Sequence, residues 1–265
     1  MSTPPPQLAH VLACSWTAVP NGRHRLVPDG CPDLLWISDG SVVLCGPEER
    51  AWTFALPSGL VAVGVRFRPG AISSLLRLDV STIRNARVPL AALTSDADKA
   101  ELSESIAHAI AAANGDLSAG MSVLATFVQR LVASTGTVDL LADRILNLLA
   151  SDPSTSQSVL AASVGLSSRQ LHRRSLHLFG YGTSTLARLL RFQRMLALMT
   201  TASVAMTLSH LALSAGYSDQ SHLTRDCRAI TGLPPKAFLA DYVPTFPDMS
   251  DPFKTSTPLV AMLVA

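Results

Sequence analysis

The chain has 265 residues, 48% of them hydrophobic and only 15% charged, and its 21 basic and 19 acidic side chains leave a formal charge of +2. That length allows one or two domains with proper cores, and no uncharged apolar run approaches the length needed to span a bilayer. Four cysteines, at 14, 31, 45 and 227, stand far apart with no Cys-x-x-Cys, which argues for free thiols over a disulfide framework. The polar, proline-rich start carries no basic n-region, so no signal peptide is read and the expected location is cytoplasmic.

Residues 8–93 read as strand and turn. Short apolar runs (34–37, 42–45, 60–67) are separated by Pro-Asp-Gly, Ser-Asp-Gly, Gly-Pro and Pro-Ser-Gly, the punctuation of a small β-barrel or sandwich. A short helix is expected over 70–78, after Pro69. A longer one is expected over 95–113, with Ser95 as N-cap and Asp96 and Asp98 in its first turn. Asn114-Gly115 breaks it, and a second helix follows over about 117–133. Its stripe of Leu117, Met121, Leu124, Phe127, Val128 and Leu131 suits packing against the β half or the preceding helix, with a dimer seam as the alternative. Residues 134–137 form a compact linker, with Thr137 as N-cap of a helix whose buried stripe is Val138, Leu141, Ile145, Leu148 and Leu149 and which Pro153 closes.

The strongest signal lies in residues 159–239. Ala161-Ala-Ser-Val-Gly165-Leu-Ser167, followed by Arg169-Gln-Leu-His-Arg173, is echoed by Ala212-Leu-Ser-Ala-Gly216-Tyr-Ser218, followed by Gln220-Ser-His-Leu-Thr-Arg225. Each copy has a small Ala facing a partner helix, a Gly where the chain reverses and a Ser to cap the next helix, which is the pattern of a helix-turn-helix. The copies match at an offset of 51 through the Ser and 52 at the Arg, because the second carries one extra residue. A helix over about 184–199 separates them. Its ~24 Å suits two recognition helices in neighbouring major grooves, ~34 Å apart. Residues 137–243 hold ten Lys/Arg against six Asp/Glu, whereas residues 1–136 hold ten against eleven, so the basic excess sits where phosphate contact needs it.

These residues resemble the AraC/XylS family of transcription regulators over about 138–242. The likeness extends to Arg188-Leu-Leu-Arg191 and to Gly232-Leu-Pro-Pro-Lys-Ala-Phe238. The resemblance implies an all-helical, double helix-turn-helix module that binds double-stranded DNA and recruits or hinders RNA polymerase. Carried over by position, it puts base contacts on Arg169, His172 and Arg173 in the first unit and on Gln220, Ser221 and Arg225 in the second, with Thr224 on a phosphate. The chemistry agrees, since Arg offers a fork to guanine and Gln a donor–acceptor pair to adenine. Two positions depart from the family: Ser175 and Cys227 stand where it usually has a core aromatic, so Leu176, Leu178 and Phe179 are the candidate fillers. Pro234 replaces a capping Thr.

The N-terminal half resembles an input domain found before such modules in some bacterial regulators, through Pro28-Asp-Gly-Cys-Pro-Asp-Leu-Leu-Trp36, Gly46-Pro47 and Gly64-Val-Arg-Phe-Arg-Pro-Gly70. Asp29, Asp33, Trp36, Arg66 and Arg68 are candidates for an effector pocket. Arg66 and Arg68, two apart, would share one side of a strand to clamp an anion, the alternative being that they pair with Asp29 or Asp33 as internal struts. Cys31 as a redox-responsive or methyl-accepting thiol is a further alternative. Cys14, Cys31 and Cys45, with His10 and His24, lack the tight spacing of a four-cysteine zinc site, and Asp29 and Asp33 would raise the Cys31 pKa.

The expected fold is therefore α+β. Residues 1–93 form a β-rich sensor domain, 94–136 a helical linker or dimerisation segment, 137–243 the DNA-binding domain and 244–265 a tail. No catalytic residues, metal or cofactor are expected. The expected function is a sequence-specific regulator at the nucleoid, with an unknown small-molecule effector and a homodimer as candidate partners and no membrane. An accessory or architectural DNA-binding protein without ligand is the alternative.

Overall fold

The computed structural model describes residues 2–19, 23–93, 96–135, 139–201 and 206–242. Seven strands come first: β1 (Leu12–Ala18), β2 (Arg23–Leu26), β3 (Asp33–Ile37), β4 (Val42–Cys45), β5 (Trp52–Ala55), β6 (Ala62–Phe67) and β7 (Arg87–Pro89). Five pair antiparallel in the order β1-β6-β3-β4-β7, and β2 and β5 form a separate two-stranded ribbon. Alternation sorts the sheet's two faces. Leu34, Trp36, Leu44, Val63, Val65 and Phe67 face one side, packed with Leu102, Ile106, Leu124, Phe127 and Val128 of α2 (Asp96–Ala112) and α3 (Leu117–Thr135). Trp16, Leu35 and Ala62 face the other, with Leu26 and Phe54 of the ribbon against them. Gly64 stands directly under the Trp16 ring, where a Cβ would lie 2.3 Å from it. The expected small barrel or sandwich is thus a five-stranded sheet between a helix pair and a ribbon, and the α3 stripe packs inward as expected.

The short helix α1 (Ala71–Leu75) leads from the sheet towards the helical half. The expected cap Ser95 lies outside the described residues, as do Thr137, Val138, Val243 and the tail 244–265. Asp139, rather than Thr137, caps α4 (Leu140–Ser151): its carboxylate accepts from the Leu141 N–H. The helical half continues with α5 (Gln157–Ser163), α6 (Ser168–Phe179), α7 (Thr183–Thr201), α8 (Leu208–Ser214), α9 (Gln220–Thr231) and α10 (Pro235–Tyr242). Pro235 begins α10, where its missing N–H costs nothing. All four cysteines are free.

The two halves share a core. Val27 and Cys31, from the loop between β2 and β3, belong to the same buried cluster as Ile145, Leu146, Leu186, Leu190 and Phe238. At this seam Gln193, 1% exposed in the middle of α7, donates from Nε2 to the Pro28 carbonyl at 2.8 Å.

Candidate nucleic-acid interface

The two helix-turn-helix units follow one plan of caps and turns, with one extra residue in the second. Ser156 caps α5 and Thr207 caps α8, each side chain accepting from the backbone N–H three residues on. Gly165 and Gly216 take the turn with φ of +71° and +90°, a region that strains any side chain. Ser167 then caps α6 through a reciprocal capping box with Gln170. The second copy departs from expectation here. Ser218 does not cap α9; Asp219, the extra residue, does, accepting from the His222 N–H at 2.7 Å. From these caps onward the offset is 52 throughout. Leu171 matches Leu223, Ser175 matches Cys227 and Leu178 matches Ile230, all buried, and Gly180 and Gly232 close the two helices in left-handed conformation. Arg173 and Arg225 occupy the same turn of equivalent helices.

On α6 the side chains of Arg169, His172 and Arg173 are exposed. Their neighbour Arg174 is engaged elsewhere, in a 2.7 Å ion pair with Asp139. On α9, Gln220, Ser221 and Arg225 are exposed and Thr224 is half-buried. Two of these side chains have local partners. The Gln220 Oε1 accepts from Ser209 at 3.1 Å, and the Thr224 hydroxyl donates to the Gln220 carbonyl at 2.8 Å. A hydroxyl has one proton, so Thr224 must release that bond to donate to a phosphate. The connector α7 has 19 residues, about 28 Å at the helical rise, longer than expected from the sequence.

The C-terminal ends of both recognition helices rest on the β half, which leaves their N-terminal ends free. At the end of α6, Gly180 packs so closely on Pro47 that a Cβ would lie 3.0 Å from its ring, and the His177 Nδ1 lies 3.9 Å from Asp79. At the end of α9, the Ile230 carbonyl accepts from the Ala51 N–H at 2.7 Å, and the Thr231 carbonyl accepts from the Arg25 guanidinium. Carbonyls that a helix terminus leaves without partners are thereby satisfied across the domain seam.

Three of the five pocket candidates, Asp29, Asp33 and Arg66, are brought together, and Trp36 and Arg68 are not. Arg66 is a strut: its Nε and Nη2 donate to Asp33 at 3.0 and 2.9 Å, and its Nη1 donates to Asp29 at 3.0 Å. Trp16 Nε1 also donates to Asp33, at 2.9 Å. Burial pulls the Arg66 pKa down, but the two carboxylates outweigh it and hold the guanidinium firmly charged. Burial pushes Asp29 up and Arg66 counters it. Trp36 faces the opposite side of the sheet, where its Nε1 donates to Ser103. Arg68 lies just past the end of β6, half-buried, so strand alternation does not pair it with Arg66. Cys31 is buried, and burial together with Asp29 raises its thiol well above the ordinary value; burial likewise lifts Cys14 to about 11 and Cys45 to about 12. These thiols are protonated and poor nucleophiles at neutral pH. Among the described residues no cluster of His, Cys, Asp and Glu could hold a metal ion.

Sequence reading missed Asp219 and Gln193, and it named Arg191 only as part of the connector. The one-residue change of offset was the signal for Asp219. The other two act through tertiary contacts that no local pattern carries.

Two tandem units with solvent-facing recognition helices define a DNA-binding transcription regulator of the helix-turn-helix class. Residues 160–241 match a family model described as a helix-turn-helix domain, and residues 143–175 match one described as winged helix-turn-helix DNA-binding. Residues 1–89 match a family described as a domain of unknown function. No curated protein matches the chain. Among solved structures, ToxT from Vibrio cholerae is 14% identical with a TM-score of 0.45, over 85% of this chain and 96% of that one. Unsaturated fatty acid bound wild-type ToxT from strain SCE256 is 15% identical with a TM-score of 0.42, over 86% and 94%.

Proposed function

We propose that the chain is an AraC/XylS-type regulator acting at the bacterial nucleoid, which reads two adjacent major grooves of one DNA site. The observation that carries this is the equivalence of α6 and α9: each presents an exposed arginine, Arg173 or Arg225, six residues past its cap, on a face free of the β half. Arg169, His172 and Arg173 read one block of bases, and Gln220, Ser221 and Arg225 the other, with Thr224 towards the phosphates. Residues 137–243 serve as the DNA-binding domain, 1–93 as the input domain and 94–136 as the segment joining them. RNA polymerase and a second copy of the chain are the proposed protein partners.

The input domain acts on DNA binding through the seam. It holds the C-terminal ends of both recognition helices and the middle of α7, so a change in its packing shifts their relative placement. A small-molecule effector binding in the β half is the proposed cause of such a change. The test is selection and sequencing of genomic fragments bound by the full chain at physiological salt. Two short blocks about one helical turn apart are expected. Fragments with no shared motif would favour an accessory DNA-binding role.

A further inference from the structure

Arg191, on α7, ties the turn that leads into the first helix-turn-helix unit to the recognition helix of the second. Its Nη1 donates at 2.9 Å to the carbonyl of Pro153, in the turn that leads from α4 into the first unit. Its Nη2 donates at 3.4 Å to Oδ2 of Asp226, on the second recognition helix, and both side chains are about 15% exposed. Its Cζ lies 5.5 Å from the centre of the Tyr217 ring, and its aliphatic stem and the Pro153 ring run beside the turn glycine Gly216. Asp226 is shared: the His222 Nε2, on the same helix, lies 3.6 Å from the same oxygen.

A rigid connector fixes the distance between two recognition helices but does little to stop one unit rocking about the connector's axis. An off-axis tie does. Adjacent base pairs are about 3.4 Å apart along the duplex and differ by about 35° around it. A reader that tolerates rocking therefore accepts blocks one base pair too close or too far. We infer that Arg191 is the positioning residue that locks the second unit against the first and so sets the spacing between the two DNA blocks that the chain accepts. The guanidinium suits this task because its planar fork holds two acceptors at once in fixed geometry, which a lysine ammonium on a flexible stem does not.

The inference rests on the two-block reading above, and the experiment separates the two. The full chain is titrated with duplexes carrying its selected blocks at the selected spacing and at one base pair more or less. Wild-type protein should lose about tenfold in affinity for each misplaced base pair, a spacing preference of ordinary coupling size. Arg191→Met should narrow that loss to about threefold while each block keeps its sequence preference, and Arg191→Lys should restore only part of it. Asp226→Asn, which keeps the shape and removes the charge, should move the profile the same way and decides the matter if Arg191→Met fails to fold. Variants that weaken binding equally at every spacing would overturn the inference and leave the two-block reading intact. A single block selected by the wild type would overturn both.

Discussion

The two helix-turn-helix units have one backbone plan but solve the same packing problem with different atoms. At the position where a large side chain would fill the unit, the first has Ser175 and the second Cys227, both wholly buried. Four residues on, the first has Phe179, 1% exposed, and the second has Thr231, 3% exposed. The first unit thus fills its core with an aromatic one turn later, while the half-buried Leu176, also a candidate from sequence, contributes less. The second unit is filled from outside, by Phe238 of α10, whose ring lies tilted at 5.6 Å from that of Phe192 of α7. Thr231 there turns its hydroxyl to the Cys227 carbonyl and accepts from the Leu233 N–H. For this filling the first unit draws on its own helix, and the second on the connector and the last helix.

The sharpest way to break this comparison is at the paired positions 179 and 231. Phe179→Ala should cost about 3–5 kcal/mol of unfolding free energy, whereas Thr231→Ala, which loses local hydrogen bonds, should cost about 1–2 kcal/mol. Denaturant melts of both variants test the ordering, and equal costs would mean that the first core does not hinge on the aromatic. Next come the two arginines. Arg173→Ala and Arg225→Ala should each lower affinity by about 1–3 kcal/mol and relax specificity at one base position, each in a different block. A uniform loss across all sequences would assign that residue to phosphate instead.

The caps differ in a way that pH exposes. Asp219 holds its carboxyl below the ordinary value, chiefly because the His222 N–H bonds the charged form. Its contribution is therefore full above the unfolded-state pKa and is lost as pH falls through the depressed folded value. Ser167 does not titrate in this range. As a solution is acidified, hydrogen exchange in the first turn of α9 should accelerate before that of α6, and Asp219→Ser should remove the difference. The smallest effect belongs to Ser175, whose buried hydroxyl has no hydrogen-bond partner among the described residues. Ser175→Ala should leave stability unchanged or raise it by up to about 1 kcal/mol, read from the same melts.

Turn chemistry made most of the fold legible. Gly165 and Gly216 announced the two reversals because only a left-handed residue continues the chain there, and the run 42–45 emerged as β4 with the same bounds. The caps were half legible: Ser167 was read correctly, and Ser218 was not, since Asp219 competes for the same N–H groups with a charged acceptor and prevails. Why the five pocket candidates do not share one place was already present in the numbering. Asp33 and Trp36 are three apart, so strand alternation puts them on opposite faces of the sheet, and the charge of Arg66 is satisfied by the very carboxylates meant to share a ligand with it. Arg191 belongs to the Arg188-Leu-Leu-Arg191 likeness but its contacts, like those of Gln193, carry no local signature. Two residues apart on α7, one reaches the DNA-reading units and the other the β half, and only the packed structure tells them apart.

The seam also governs what happens to the helical half if proteolysis or truncation releases it. Lifting away Val27 and Cys31 would open an oily seat in the middle of its core, and the Pro28, Ala51 and Arg25 partnerships would vanish from Gln193, Ile230 and Thr231. The freed fragment would keep its arginines and its appetite for DNA, yet carry a sticky flank that invites self-association. The β half therefore covers apolar surface of the helical half as well as bonding its helix ends.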